Sequence, residues 1–333
     1  MKIIENYNLK NHNTFGFEVF AKKFVEYENE AELVDFLKNN NSEKMLHIGG
    51  GSNLLFLGDF DGTILHSAIK FIEIEENFVR VGAGVVWDNF VDEMVKNGFG
   101  GAENLSLIPG EVGAAAVQNI GAYGAEIQDI IAKVEAIEIE TLQKKIFDVS
   151  ECKYGYRESV FKTDLKGKFI VTAVVFRLSK SPILKLDYGA IKEHLKHIKN
   201  PNIQDVRDAV IAIRQSKLPD TKILGNAGSF FKNPYCSKEY FEKLQKIYPD
   251  IPFYPVSTSL NNRFVKLSAA WLIEKCGWKG KTLGCAAVYH LQPLVLVNKG
   301  NAVPQDVASL SAEIQKLIKE KFGLKLEAEV NFI

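Results

Sequence analysis

Residues 109–124, PGEVGAAAVQNIGAYG, carry almost no side-chain bulk, because Gly110, Gly113, Gly121 and Gly124 together with four alanines make up half of them. A segment this poor in side chains is a weak helix and a weak strand, so its use in a fold lies in close approach of the backbone. The main chain can lie against something flat or phosphorylated, with Gln118, Asn119 and Tyr123 as polar contacts, or two backbone layers can pack tightly on each other. A dinucleotide suits the first use.

A second cluster of small residues, GGGSNLLF at 49–56, follows a short apolar strand expected at Met45–Ile48. Successive small residues can turn several N–H groups toward one point, and such a nest holds phosphate. A glycine turn between two strands fits the same residues. The common nucleotide motifs fail. Gly49 and Gly51 are followed by Leu54 where GxGxxG needs a third glycine, Gly82 and Gly84 fail likewise at Trp87, and no GxxxxGK[ST] occurs. A Rossmann domain and a P-loop are therefore disfavoured, and a phosphate site would belong to another cofactor-binding architecture.

The third segment, GNAGSFFKNP at 225–234, sets one hydroxyl, that of Ser229, among glycines. Gly225 and Gly228 permit backbone angles closed to other residues, and Phe230 and Phe231 can wall out water, which suits a site built around a weak acid or nucleophile. A β-turn before a buried strand is the plainer alternative.

At 333 residues, 46% hydrophobic and 25% charged, the chain can hold two or three domains. Forty-one basic residues balance 41 acidic ones, so no overall field attracts nucleic acid or an anionic membrane, and an anionic ligand needs local groups. MKIIENYNLKNHN lacks the apolar core of a signal peptide, and no later run approaches the ~20 apolar residues that span a bilayer. The chain reads as cytoplasmic, without membrane insertion. Cys152, Cys236, Cys276 and Cys285 show no CxxC pair and are expected as free thiols. His194 and His197 could share a helix face, but no further ligand stands out, so no metal site is expected.

The spacing of apolar residues predicts a helix at 29–40, with Asn29 as cap, Glu32 three residues on, and Leu33, Phe36 and Leu37 as its stripe. A hairpin is expected at 71–81 around Glu75, Glu76 and Asn77, then a helix at 87–97 with Phe90, Val91, Met94 and Val95 facing in. Val134, Ile137, Ile139, Ile146 and residues 169–178 continue as sheet, and a helix at 203–215 stops before Pro219. A domain boundary falls near residue 216 and a weaker one near Ser67. Ser268 is a cap for a helix holding Trp271, a core residue by its type. At the end, Leu324, Leu326, Ala328, Val330 and Phe332 alternate with Lys325, Glu327, Glu329 and Asn331. That pattern is a strand with both glutamates on one polar face, and periodicity does not choose between them.

GGGSNLL at 49–55, IPGEVGAAAVQNIGAYG at 108–124, YGYRESVFK at 154–162, KLPD at 217–220, GNAGSFFKNP at 225–234 and EAEVNFI at 327–333 together resemble the UDP-N-acetylenolpyruvoylglucosamine reductases, the MurB flavoenzymes of peptidoglycan synthesis. GGGSN alone is weak, whereas QNIGAYG and GSFFKNP are specific, and order and spacing match from Asn13 onward. Tyr188 in LDYG resembles the branch with a tyrosine loop. The resemblance implies an α+β fold with an FAD-binding module of the vanillyl-alcohol-oxidase (PCMH) type in two subdomains and a C-terminal α+β substrate-binding domain. The first subdomain would be 1–66, completed by the C-terminal strand 324–333, the second 67–215, and the substrate domain 216–323. It also implies a monomer.

The implied reaction is ping-pong: NADPH reduces FAD, which then delivers hydride to the enolpyruvyl group of UDP-N-acetylglucosamine enolpyruvate, giving UDP-N-acetylmuramate. Hydride addition beside a carboxylate leaves negative charge spread into the carboxyl. Arg157 resembles the family's catalytic arginine, whose planar fork suits that charge, and Ser229 its proton donor. The family's ending selects Glu329 as the third catalytic group. Cofactor contacts carried over are Gly49, Gly50, Gly51, Ser52, Asn53 and Leu54, then Pro109, Gly110, Gly113, Ala114, Gln118, Asn119, Gly121 and Ala122. Substrate contacts are Tyr188, Lys217, Asn233 and Gln292, with Tyr123 added. Asn331 stands where the family often has arginine, and Ala116 where proline is common. A flavin-dependent sugar or alcohol oxidase of the same fold and a nonredox nucleotide-sugar binding protein are the rival readings.

Overall fold

In the computed structural model, which describes residues 1–40, 44–254 and 263–333, Asn29 caps the helix Glu30–Asn39 by accepting the Glu32 N–H at 2.9 Å. Leu33, Phe36 and Leu37 are all buried, as their spacing predicts, in one cluster with Val25, Tyr27 and Leu65. The helix links Phe20–Tyr27 to Met45–Ile48, which lie parallel on either side of Phe60–Ser67, while Lys2–Asn8 adds an antiparallel edge. A parallel return needs such a crossover.

This sheet belongs to the first of two units, formed by Met1–Asn8, Phe20–Gly51 and Asp59–Ser216. The same unit holds an antiparallel sheet in the order Lys144–Asp148, Ile131–Glu138, Phe169–Arg177, Phe78–Gly82, Ile72–Glu75. The hairpin expected at 71–81 is its last pair and turns through Glu76 at φ +54°. Helix Trp87–Lys96 buries Trp87, Phe90, Val91, Met94 and Val95, with the Phe90 ring stacked on Phe176 at 4.7 Å.

The side-chain-poor stretch departs from expectation. Its alanines, the best helix formers, make a short helix, Val112–Gln118, which Asn119 ends in the left-handed region at φ +47°. Helix Ile203–Lys217 docks through Arg207, which is buried and grips Asp88 with Nη1 at 2.8 Å and Nη2 at 3.1 Å. Asp88 also accepts the N–H of Leu107, a residue at φ +58°, so one ion pair holds both the helix and the turn leading into PGEVG. Because Asp88 and Asp92 retain 24% and 36% exposure, Arg207→Ala is expected to lower unfolding free energy by about 2 kcal/mol rather than a fully buried pair's larger loss. Urea denaturation with an unchanged m-value checks this.

The second unit is Leu9–Val19, Ser52–Gly58 and Lys217–Ile333. Its main sheet runs Asn226–Ser229, Val295–Asn298, Ala286–Val288, Thr282–Leu283, all antiparallel, and helix Pro304–Phe322 packs on it with Val307, Leu310, Ile314 and Ile318 buried. The last strand is shorter than its alternation predicts. Leu324, Leu326 and Val330 are buried, but only Asn331–Phe332 form a ladder, parallel to Leu54–Leu55, and Ala328 makes a single bridge to Phe231. The partner chain runs into Pro234, which has no N–H to extend that bridge.

Two further expectations change. Ser268 does cap its helix, accepting the Trp271 N–H at 3.3 Å, but Trp271 is half-buried, with its indole N–H toward Asp250. His197 lies beyond the helix Gly189–Leu195 and shares no helix face with His194. Among the described residues no cluster of His, Cys, Asp and Glu could hold a metal ion, and no helix is long and apolar enough to cross a membrane.

Candidate active site

In the first unit the two glycine clusters meet. Strand Met45–Ile48 delivers Gly49–Gly51, and a Cβ added to Gly49 would sit 3.0 Å from the Ala114 Cβ and 3.2 Å from Glu111 Oε2. One added to Gly50 would lie 3.5 Å from the Gly110 Cα. Gly51 at φ +66° and Gly110 at φ +121° take angles that other residues rarely adopt. The resulting surface is largely main chain, which fits a flavin diphosphate. Gly113 serves the other use of small residues: its Cβ would meet the Ala83 Cβ at 2.8 Å, and its N–H bonds to Ala83 O at 3.0 Å.

Beneath these loops lies a group that the sequence does not reveal. His66 is 6% exposed, with Nδ1 2.9 Å from Glu26 Oε2 and Nε2 3.0 Å from Glu111 Oε1. Burial pulls the imidazole down, but hydrogen bonds and charge from Glu111, then Glu26, outweigh it and hold its pKa above the ordinary histidine value.

Arg157 is fastened to QNIGAYG. Its Nη2 donates to Gly121 O at 2.5 Å and its Nη1 reaches Asn119 O at 3.5 Å. A Cβ on Gly121 would lie 2.8 Å from Arg157 Nη1, 2.9 Å from Glu126 Cγ and 3.0 Å from Ala125 O, so the missing side chain leaves room for the guanidinium. Asn119 donates to Gly155 O at 2.7 Å and Ser159 Oγ to Val117 O at 2.6 Å, stitching YGYRES along its length. Arg157 itself stands at φ +58°, a strained angle for a side chain of its size, held by the paired hydrogen bonds between Gly155 and Glu158.

Tyr123 and Tyr188 come together with their ring centroids 5.3 Å apart, edge to face. Burial raises the Tyr123 hydroxyl, opposed by the charge of Arg214 and, more weakly, by its hydrogen bond. Arg214, another residue missed from the sequence, has a buried Nε with no hydrogen-bond partner among the described residues. Lys217 is the last residue of the same helix.

Ser52, Asn53 and Leu54 group with the second unit, which also holds Ser229, Asn233, Gln292 and Glu329. Gly225 lies so close to the Phe15 carbonyl that no side chain fits, and Gly228 turns at φ +67° before the exposed Ser229. The two phenylalanines are core anchors rather than a wall around the hydroxyl: Phe230 and Phe231 are 0% and 1% exposed, their ring centroids 5.1 Å apart. Ser229 pairs with Val295, and Gln292 opens the turn into that strand, its carbonyl accepting the Val295 N–H at 3.0 Å. On the other side the Glu329 N–H bonds to Phe230 O at 2.8 Å, one residue from Ser229. Asn53 donates to Glu329 O at 3.1 Å and its carbonyl accepts the Asn331 N–H at 3.0 Å, so the backbone around Glu329 is held by this one residue. Asn233 commits its oxygen to the Ala269 N–H at 2.9 Å.

Residues 219–333 match the C-terminal domain of UDP-N-acetylenolpyruvoylglucosamine reductase, and residues 21–140 match an FAD binding domain. UDP-N-acetylenolpyruvoylglucosamine reductases of Bacteroides fragilis and Flavobacterium johnsoniae are 50% and 49% identical to the chain, over 99% and 100% of both partners. The chain belongs to the UDP-N-acetylenolpyruvoylglucosamine reductase family. It is an FAD-dependent oxidoreductase, and its α+β flavin-binding fold is the one that the motifs imply. The solved Thermus caldophilus reductase aligns with all of this family member at TM-score 0.71 and 25% identity, covering 99% of that chain. A 6-hydroxy-D-nicotine oxidase from Arthrobacter nicotinovorans shares the fold alone, at TM-score 0.58 and 12% identity, over 97% of this chain and 86% of its own.

Proposed function

We propose that this reductase takes hydride from NADPH and reduces UDP-N-acetylglucosamine enolpyruvate to UDP-N-acetylmuramate, in the cytoplasm and as a monomer, with Ser229 as proton donor. When bound, FAD would supply the two-electron chemistry, hydride transfer from NADPH to the enolpyruvyl β-carbon. Gly49, Gly50 and Gly51 with Pro109, Gly110 and Ala114 hold its diphosphate, Ser52, Asn53 and Leu54 extend that cradle, and Gln118, Asn119, Gly121 and Ala122 line it. Gly113 contributes through packing on Ala83. The flavin module comprises subdomain 1–66, completed by the C-terminal strand 324–333, and subdomain 67–215, with the substrate domain at 216–323.

Arg157 holds the substrate carboxylate and stabilises the charge that grows on it. Ser229 gives its proton to the α-carbon. A serine hydroxyl is a feeble acid, but a carbanion-like intermediate is a strong base, so geometry decides the transfer more than pKa does. Glu329 hydrogen-bonds the intermediate. Tyr123, Tyr188, Lys217, Asn233 and Gln292 contact the UDP-sugar.

The observation that carries this reading is the setting of Ser229. The residue is exposed, its backbone is fixed by a left-handed glycine before it and a fully buried phenylalanine after it, and the Glu329 segment is bonded next to it. Anaerobic half-reactions test it. The purified protein is expected to be yellow, to bleach with NADPH and to recolour on adding the enolpyruvyl substrate. Bleaching without recolouring under nitrogen, but with recolouring in air, marks an oxidase instead, and a protein with no flavin absorbance ends the redox reading.

A further inference from the structure

We infer that His66 is a positioning residue for the flavin diphosphate, its cationic ring holding Glu111 under the paired glycine loops and offsetting that carboxylate's charge. The inference rests on the assignment of those loops to FAD made above. Glu111 is the only acidic side chain of PGEVG, is 8% exposed, and stands 3.2 Å from where a Gly49 Cβ would be. A bare carboxylate there would repel a diphosphate resting on Gly49–Gly51. His66 meets it at 3.0 Å, and Glu26 meets the other ring nitrogen at 2.9 Å, fixing the ring between two anions.

The groups facing this ring come from each neighbouring strand. Phe20–Tyr27 supplies Glu26 and the Phe24 ring, 6.0 Å away and stacked, and Glu111 comes from the turn before Val112–Gln118. Strand Met45–Ile48 supplies His47, which burial and then the His66 charge drive down to about 3, so it is neutral and adds no cation. The Tyr27 hydroxyl, pushed up by burial, lies 2.8 Å from His47 Nε2 and is likewise uncharged. Of these groups His66 alone carries positive charge. Its two carboxylates raise its pKa, so the charge is fully present below the ordinary histidine value and is lost as pH rises through the raised one. FAD affinity should follow it downward.

The test titrates FAD into the full chain stripped of flavin, from about pH 6 to about pH 9, reading the quench of flavin fluorescence. Wild type is expected to bind about tenfold more weakly at the alkaline end, and His66→Gln to be about tenfold weaker at the acid end with a flat profile. Glu111→Gln should keep the inflection but move it to lower pH, because one of the two anions favouring the charged ring is gone. Wild-type affinity or a wild-type pH slope in His66→Gln overturns the inference. If that variant does not fold by near-ultraviolet circular dichroism, an unmoved inflection in Glu111→Gln overturns it instead. Gly49→Val separates the two levels, since its side chain would fill the space against Ala114 and Glu111. Undiminished FAD binding by Gly49→Val removes the loop assignment itself, whereas lost binding there beside an unaffected His66→Gln removes only the role of His66.

Discussion

Ser229→Ala is expected to leave reduction of FAD by NADPH within about twofold of wild type and to slow oxidation of the reduced enzyme by the enolpyruvyl substrate by about 10²–10⁴-fold. The asymmetry follows from where the hydroxyl is used. Flavin reduction needs no proton at the substrate's α-carbon, and the second half-reaction cannot finish without one. Alanine suits the position: Ser229 pairs in an antiparallel ladder, its side chain is exposed, and the fixing contacts belong to Gly228 and Phe230. Stability should therefore change by no more than about 0.5 kcal/mol. Ser229→Cys, which keeps a proton on a slightly longer bond, should recover part of the rate. The check is anaerobic stopped-flow at the flavin absorbance, each half-reaction followed alone. Equal loss in both halves would remove Ser229 as the acid and leave it a structural residue of the turn.

What was legible beforehand depended on the range of the interactions involved. Helix Glu30–Asn39 could be read because its cap, its acidic first turn and its buried stripe all lie within eleven residues of one another. The hairpin at Ile72–Glu75 and Phe78–Gly82 and the buried face of Trp87–Lys96 were readable for the same reason. PGEVGAAAVQNIGAYG announced close backbone approach, and the structure contains both kinds: Gly113 against Ala83, and Gly110 against Gly50. Composition could not say that its alanines form a helix, because the same smallness that permits close packing also favours helix. His66 and Arg214 were invisible. His66 acquires its meaning from Glu26 and Glu111, 40 and 45 residues away, and Arg214 from Tyr123, a pairing set by the docking of a whole helix. Alternation overstates the C-terminal strand because it reports which face is buried, whereas a ladder also requires a partner that keeps donating N–H groups.

Arg157→Ala is expected to lower the rate of the substrate half-reaction by about 10²–10³-fold, the size associated with losing one preorganised donor to a developing oxyanion, with flavin content unchanged. Arg157→Lys should recover little of it. The guanidinium reaches two carbonyls at once, Gly121 O and Asn119 O, in one planar fork, a geometry that a single ammonium cannot reproduce. Strain points the same way. A non-glycine residue held at φ +58° costs on the order of 1 kcal/mol, and the hydrogen bonds of Gly155, Glu158 and Asn119 that enforce it also aim this one side chain. Arg157→Gly should therefore raise the thermal midpoint slightly by relieving the strain while losing the rate, a divergence that a purely structural arginine would not produce. Gly121→Ala gives a check that leaves the arginine in place: its methyl group would stand 2.8 Å from Nη1 and push the guanidinium aside. It should depress the substrate half-reaction in the same direction as Arg157→Ala, and the double variant should be no slower than Arg157→Ala alone. If Gly121→Ala and Arg157→Ala multiply instead, the two residues act separately and the guanidinium is not held for catalysis by that carbonyl.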